Sequence, residues 1–267
     1  MELFNYLPGT VPVILSIPHA GTYVPDHLLQ RFTQPAKLLP DTDWHLEQLY
    51  AFAHKMGIHM LVATHSRYVI DLNRSPDGKS LYPGKFTTTL CPTILFDGSP
   101  VYQQAQEPDE EEIQARIKTY WQPYHSKLQA LIAELKSNHR VTVFDAHSIR
   151  SQVPALFDGV LPSINLGTAD GQSARQVLAD KLVNYCRNTN YSTVLNGRFK
   201  GGFITRHYGN PAEKVDAIQL EFAQMNYMEE SFPFAYDLNK AKKCQLMLSE
   251  LLSLLITETV QPTLLLS

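Results

Sequence analysis

The sequence predicts an α/β layered sandwich built on a mostly parallel sheet. Three observations predict it. Val13-Ile14-Leu15-Ser16-Ile17 and Val141-Thr142-Val143-Phe144-Asp145 are apolar runs that alternate little, as strands buried on both faces do. Runs of this kind are separated by stretches with helical periodicity, which is the pattern of a layered α/β protein. Both runs also lead straight into a histidine, in Ile17-Pro18-His19-Ala20-Gly21 and Asp145-Ala146-His147-Ser148. The carboxyl ends of strands are where ligands bind in open α/β sheets.

Residues 13–17 form the first strand, and 19–35 a loop with Gly21, Pro25 and Pro35. Asp41 or Thr42 can cap a helix that begins near Asp43, carries Leu46, Leu49, Ala53 and Met56 at helical spacing and ends at Gly57. Residues 58–63 and 67–72 read as strands, the second ending in Asp71-Leu72-Asn73-Arg74. The segment 75–107 is rich in Gly, Pro and Thr, and irregular segments this long are often functional. A long helix starts at Pro108, whose missing N–H and the acidic run 109–112 suit a helix N-terminus. Its stripe runs from Ile113 to Leu135, and Pro123 predicts a kink. The central strand, 141–145, follows. A loop at 148–171 holds a short strand near 163–166. Then come a helix at 173–187, a strand at 191–195, a glycine-containing loop at 197–211, a strand at 215–222 and a closing amphipathic helix at 238–257. Neither a repeat nor a composition shift marks a boundary, so one domain over 1–267 is expected.

Composition narrows the function. The chain is 44% hydrophobic and 18% charged, enough for a full core. Its formal charge of −3 leaves no basic excess that would point to nucleic acid. Cys91, Cys186 and Cys244 are odd in number and widely spaced, so a disulfide framework and a cysteine zinc site are both unexpected. The start of the chain lacks a signal-peptide pattern, and no apolar run approaches ~18–20 residues. A cytoplasmic protein is expected.

His19 and His147, two strand-end histidines far apart in sequence, read as two ligands of one metal ion. Catalytic zinc takes three protein ligands and keeps one position open. The third ligand is a carboxylate from Asp41, Asp43 or Asp145, with Asp43 preferred. Asp145, two residues before His147, shares its strand face and either ligates or braces a histidine. Glu221 stands near the end of the last strand, on the face opposite Ile218, Leu220 and Phe222. A carboxylate there is costly unless paired or working, so it is the candidate general base. Arg74 and Arg206 are candidate clamps for a substrate carboxylate, with Asn73 supporting Arg74 and Arg67 a weaker candidate. Ser148 beside His147 raises a serine hydrolase, but there is no Gly-x-Ser-x-Gly elbow.

Together these motifs resemble the N-formylglutamate amidohydrolase family. The matching segments are Ser16–Gly21, Asp41–Trp44, His65–Arg74, Asp145–Ser148, Gly201–Arg206 and Gln219–Glu221. The resemblance implies a small-molecule N-acyl acidic amino acid as substrate, with hydrolysis of N-formyl-L-glutamate to formate and L-glutamate, the last step of one histidine-degradation route. The order His19, Asn73-Arg74, His147, Glu221 is also similar to that of zinc carboxypeptidases. That likeness implies a three-layer α/β/α sandwich with a mixed, mostly parallel sheet of the zinc-exopeptidase type. The departure is at Thr22, where that pattern places its acidic ligand three residues after the first histidine. On this reading a zinc-bound water attacks the formyl carbon, Glu221 moves the proton, and Arg74 and Arg206 hold the two carboxylates. The rivals are another N-acyl amino acid deacylase or carboxypeptidase-like hydrolase, a serine hydrolase, and a binding module that keeps the metal.

Overall fold

β2 (Val13–Ile17) and β4 (Val141–Ile149) are buried at every position and lie side by side in parallel. Their near-continuous apolar sequence requires this, because each is covered on both faces. The computed structural model describes residues 1–79 and 87–261. Within them β1 (Phe4–Leu7), β3 (His59–Ala63), β5 (Ile164–Gly167), β6 (Thr193–Leu195) and β7 (Val215–Ala223) complete one seven-stranded sheet in the order β1-β3-β2-β4-β7-β5-β6. The β3–β2, β2–β4, β4–β7 and β5–β6 pairs are parallel. The β1–β3 and β5–β7 pairs are antiparallel, so the sheet is mixed and mostly parallel, as expected.

The helices in chain order are α1 (Asp26–Leu29), α2 (Gln34–Lys37), α3 (Leu46–Leu49), α4 (Glu110–Arg116), α5 (Gln122–Lys136), α6 (Gln176–Arg187), α7 (Phe203–Tyr208) and α8 (Leu238–Val260). On one face of the sheet, α3, α6 and α8 pack against Leu15, Ile17, Phe144, Ala146, Ile218 and Leu220. On the other, α5 and α7 pack against Ile14, Val141, Val143, Val215 and Ala217. The fold is a three-layer α/β/α sandwich. No helix among the described residues is long and apolar enough to cross a membrane.

Several elements differ from expectation for identifiable reasons. Residues 67–72 are a turn and not a strand. Val69 N–H closes onto Ser66 O, and Asp71 N–H goes to Leu90 O, so the segment curls to turn Arg67 and Asp71 inward. The helix expected from Asp43 shrinks to α3 and a following helical turn at Ala53–Met56, with Gly57 ending it at φ 81°. Neither Asp41 nor Thr42 caps it. His45 holds the N-cap position with φ 61°, because the Asp41 and Asp43 carboxylates are engaged elsewhere. Asp109, not Pro108, starts α4, its carboxylate accepting from Glu112 N. Pro123 stands just after a π-helical turn, Ile117–Trp121. That wider turn separates the proline ring from the preceding carbonyls it would otherwise strike. β4 runs four residues past its expected end at Asp145. β1, a short antiparallel edge strand, had not been expected. Residues 80–86, in the middle of the long 75–107 segment, and 262–267 lie outside the described residues.

Candidate metal centre and active site

The site is written in the second halves of three strands. On the face toward α5 and α7, β4 begins apolar with Val141 and Val143 and then turns polar with Asp145 and His147. β7 does the same, from Val215 and Ala217 to Gln219 and Glu221. Ser16 stands beside Asp145, Gln219 opposite Asp145, and Glu221 opposite His147. Alternation along parallel strands therefore brings these side chains to one place at the carboxyl edge of the sheet.

His19 follows β2 by two residues, and its carbonyl accepts from Asp43 N at 3.1 Å, which brings the Asp41–Asp43 segment across the strand ends. Asp43 Oδ2 then lies 3.8 Å from His19 Nδ1 and 3.1 Å from His147 Nδ1. Tetrahedral zinc bonds of ~2.0–2.1 Å separate their ligand atoms by about 3.3–3.4 Å; the two carboxylate–nitrogen distances bracket that value, and one ligand atom from each of the three residues lies within 4.8 Å of the others. The other ring nitrogens are braced. His19 Nε2 is 2.7 Å from Asp71 Oδ1, and His147 Nε2 is 3.0 Å from Asp145 Oδ2. A carboxylate on Nε2 fixes the tautomer that leaves Nδ1 as a lone pair. The two nitrogens and one oxygen fit a divalent transition-metal ion such as zinc.

The electrostatics agree. Burial, then Arg67, holds His19 below its ordinary pKa against the pull of Asp71 and Asp43, so the imidazole is neutral. For Asp71, burial is outweighed by His19, Arg67 and Arg74, which keep its carboxyl well below the usual range. For His147, burial is outweighed by Asp145 and Asp43, which raise it well above its ordinary value. In the absence of a cation, a proton supplies the positive charge that these two carboxylates demand.

A cavity opens over the group. His19, His147, Glu221, Gln219 and Asn73 line it, with Arg67, Arg74 and Arg198. Burial pushes the Glu221 carboxyl up to about 8, with Asp43 and Asp145 adding to the rise against His147 and Arg67. Gln219 Nε2 donates to Glu221 Oε2 at 3.3 Å. Arg67 is 6% exposed, donates to Asp71 Oδ2 at 2.7 Å and lies over the Phe96 ring, and its Nε has no hydrogen-bond partner among the described residues. Arg74 is anchored on Thr88 O at 3.1 Å.

Of the residues expected from sequence, His19, Asp43, His147, Glu221, Asn73, Arg67 and Arg74 meet at this place. Arg206 does not line the cavity; it sits half-buried on α7 with Nε donating to Gly201 O. Arg198, eight residues earlier in the loop that leads into α7, lines the wall instead. It was not singled out from sequence, and nothing in the loop's residues distinguishes one arginine from the other. Gln219 was also missed, although its period-two relation to Glu221 places it on the same face. Asp41 bonds to Tyr68 and to Phe96 N, away from the histidines. Asp145 braces His147. The Ser148 hydroxyl accepts from Tyr227 at 2.7 Å, and among the described residues no hydrogen bond joins it to His147, so the serine-hydrolase geometry is not assembled.

A model of the N-formylglutamate amidohydrolase family matches residues 11–228. The chain is 46% identical over 257 residues to the N-formylglutamate deformylases of Pseudomonas putida and Pseudomonas aeruginosa, across 96% of each chain. Its fold is that of an N-formylglutamate amidohydrolase from Ralstonia eutropha, with a TM-score of 0.83 at 24% identity over 97% of this chain and 99% of the other. A protein from Agrobacterium tumefaciens has the same fold, with a TM-score of 0.71 at 17% identity over 95% and 96% of the two chains. Matched by the family model along most of its length and by two relatives at nearly half identity from end to end, the chain belongs to the N-formylglutamate amidohydrolase family.

Proposed function

We propose that the protein is a zinc-dependent amidohydrolase that converts N-formyl-L-glutamate to formate and L-glutamate. The names of its Pseudomonas relatives support the substrate. The observation that carries the chemistry is Glu221 directly opposite His147 across β4 and β7, on the wall of a cavity that also holds three arginines. When bound by His19, Asp43 and His147, the metal supplies Lewis acidity, making a water acidic and drawing charge from the carbonyl under attack. Glu221 takes the proton from the attacking water on its carboxylate and delivers it to the departing amine. Arg74 and Arg198 stand where they can pair with the substrate's two carboxylates, for which guanidinium geometry is suited. Arg67 adds positive charge beside the reacting carbonyl. The three buried free cysteines suit a reducing compartment, and the reaction suits the last step of a histidine-degradation route.

The test is formate release from N-formyl-L-glutamate by purified protein, with chelator and with zinc restored. Activity should vanish on metal removal, return with zinc and exceed that on N-acetyl-L-glutamate. Full turnover after verified metal removal would overturn the metal chemistry. Better turnover of the acetyl substrate would overturn the formyl preference.

A further inference from the structure

Asn73 precedes Arg74, and sequence alone gives it to the substrate. Its side chain is otherwise committed. Oδ1 accepts from Ile204 N at 2.8 Å, at the start of α7. Nδ2 donates to Asp145 Oδ2 at 3.2 Å and lies 2.9 Å from His147 Nε2. Asp145 Oδ2 is thus the acceptor on which both the Asn73 amide and the His147 ring converge. The backbone around Asn73 is held as firmly. Its N–H donates to Asp71 Oδ1, the same oxygen that braces His19, and its carbonyl accepts from Phe203 N. Asn73 is 3% exposed. Gly202 has no side chain where the Asn73 amide lies, and a Cβ there would overlap it.

We propose that Asn73 is a positioning residue that sets the affinity of the His19–Asp43–His147 group for its metal by fixing Asp145 against His147, and is not a ligand of the substrate carboxylate. The inference rests on the metal reading of the site and not on the identity of the substrate. The segment 71–73 then serves both histidines, with Asp71 bracing His19 and Asn73 fixing the acid that braces His147. Groups at this remove from a metal hold a ligand ring in the tautomer and orientation that binding needs. Losing one weakens binding by about 10- to 100-fold.

The measurement is zinc affinity by competition with a chromogenic chelator on full-length protein, for wild type, Asn73→Ala, Asn73→Asp, Asp145→Asn and the Asn73→Ala/Asp145→Asn double variant. Asn73→Asp keeps an acceptor for the Ile204 amide, which holds the test open if the alanine variant fails to fold. The expected result is a zinc Kd raised about 10- to 100-fold in each single Asn73 variant. The double variant should lose less than the two single effects combined, because both act through one hydrogen bond. Once saturated with zinc, the Asn73 variants should keep a KM for N-formyl-L-glutamate close to that of wild type. An unchanged zinc Kd would overturn the proposal, and an unchanged Kd with a raised KM would return Asn73 to the substrate. Wild-type protein that binds no zinc overturns it as well. Wild-type protein that binds zinc but leaves N-formyl-L-glutamate intact would instead fail the proposed function, and the affinity series would still decide the role of Asn73.

Discussion

In the proposed mechanism Glu221 is the general base, and its environment sets a pH dependence. Burial first, then the carboxylates of Asp43 and Asp145, lift its pKa to about 8 in the metal-free protein. A general base must be ionised, so kcat/KM should rise with pH along an acid limb that reports this carboxyl. A cation on Asp43 and the two histidines stabilises the ionised form, so the midpoint of that limb in the zinc enzyme should lie below about 8. Glu221→Gln should keep zinc, since it is no ligand, and lower kcat by roughly 10²- to 10⁴-fold. Near-normal turnover in that variant, with zinc verified, would remove Glu221 from the mechanism. At this scale the sequence was informative where strand alternation decides orientation: Asp145, His147, Gln219 and Glu221 follow from the period of two. It left Asp41, Asp43 and Asp145 open, because the choice among them depends on a loop crossing the strand ends. The Asp43 N–H bond to the His19 carbonyl makes that choice, and no spacing rule encodes it.

At the scale of elements, the buried strands and the long helices were legible because burial and periodicity act locally along the chain. The turn at 67–72 was not. Its Tyr, Val and Ile residues have strand propensity, but Arg67 and Asp71 must both reach the site, and tertiary demand overrides propensity. The same holds for the short α3, since Asp41, its expected cap, is taken up by Tyr68 and Phe96 N and Asp43 by the histidines. α7 is placed by the opposite kind of signal, a glycine whose need is steric. Gly202 has an ordinary φ of −84°, so alanine there meets no backbone penalty, only the Asn73 amide. Gly202→Ala should therefore cost about 1–3 kcal/mol of stability by overpacking. It should also weaken zinc binding, because the displaced amide is the one that fixes Asp145. Denaturant melts beside chelator competition would check both effects. A variant that loses stability but keeps its zinc affinity would show that α7 supports the fold without supporting the centre.

For the whole molecule, the arrangement concentrates charge where the sheet's carboxyl edge opens between two apolar helical layers. Two histidines, four carboxylates and Arg67 are buried together there, and such a cluster is stable only when its charges balance. On the proposed metal reading, metal and protons compete to supply that balance. In the metal-free protein, Glu221 and His147 both have pKa values raised by folding. The sign follows from linkage. Each group's contribution is fully present below its unfolded pKa, near 4.5 for Glu221 and 6.5 for His147, and is lost as pH rises through the folded value. In the metal-free protein these two groups should thus withdraw stability between about pH 5 and pH 8, against the opposite, rising contribution below about pH 6.5 of the histidines held below their ordinary value, His19, His59, His65, His125 and His207. The zinc form should not follow it, because the cation replaces those protons, and its ligands bind more strongly as they deprotonate. Zinc at 100 times its Kd adds about 2.7 kcal/mol at any one pH, and more as Kd falls with rising pH. The gap in Tm between zinc-loaded and chelator-treated protein should therefore widen from pH 6 to pH 8, and Glu221→Gln should narrow that widening by removing one of the two raised groups. Thermal melts at fixed free zinc across this range decide the matter. A gap that is present but constant with pH would remove the competition between metal and protons, and no gap at any pH would mean that the cluster is balanced without metal and that the carboxyl edge of this sheet is a structural ion network and not a metal centre.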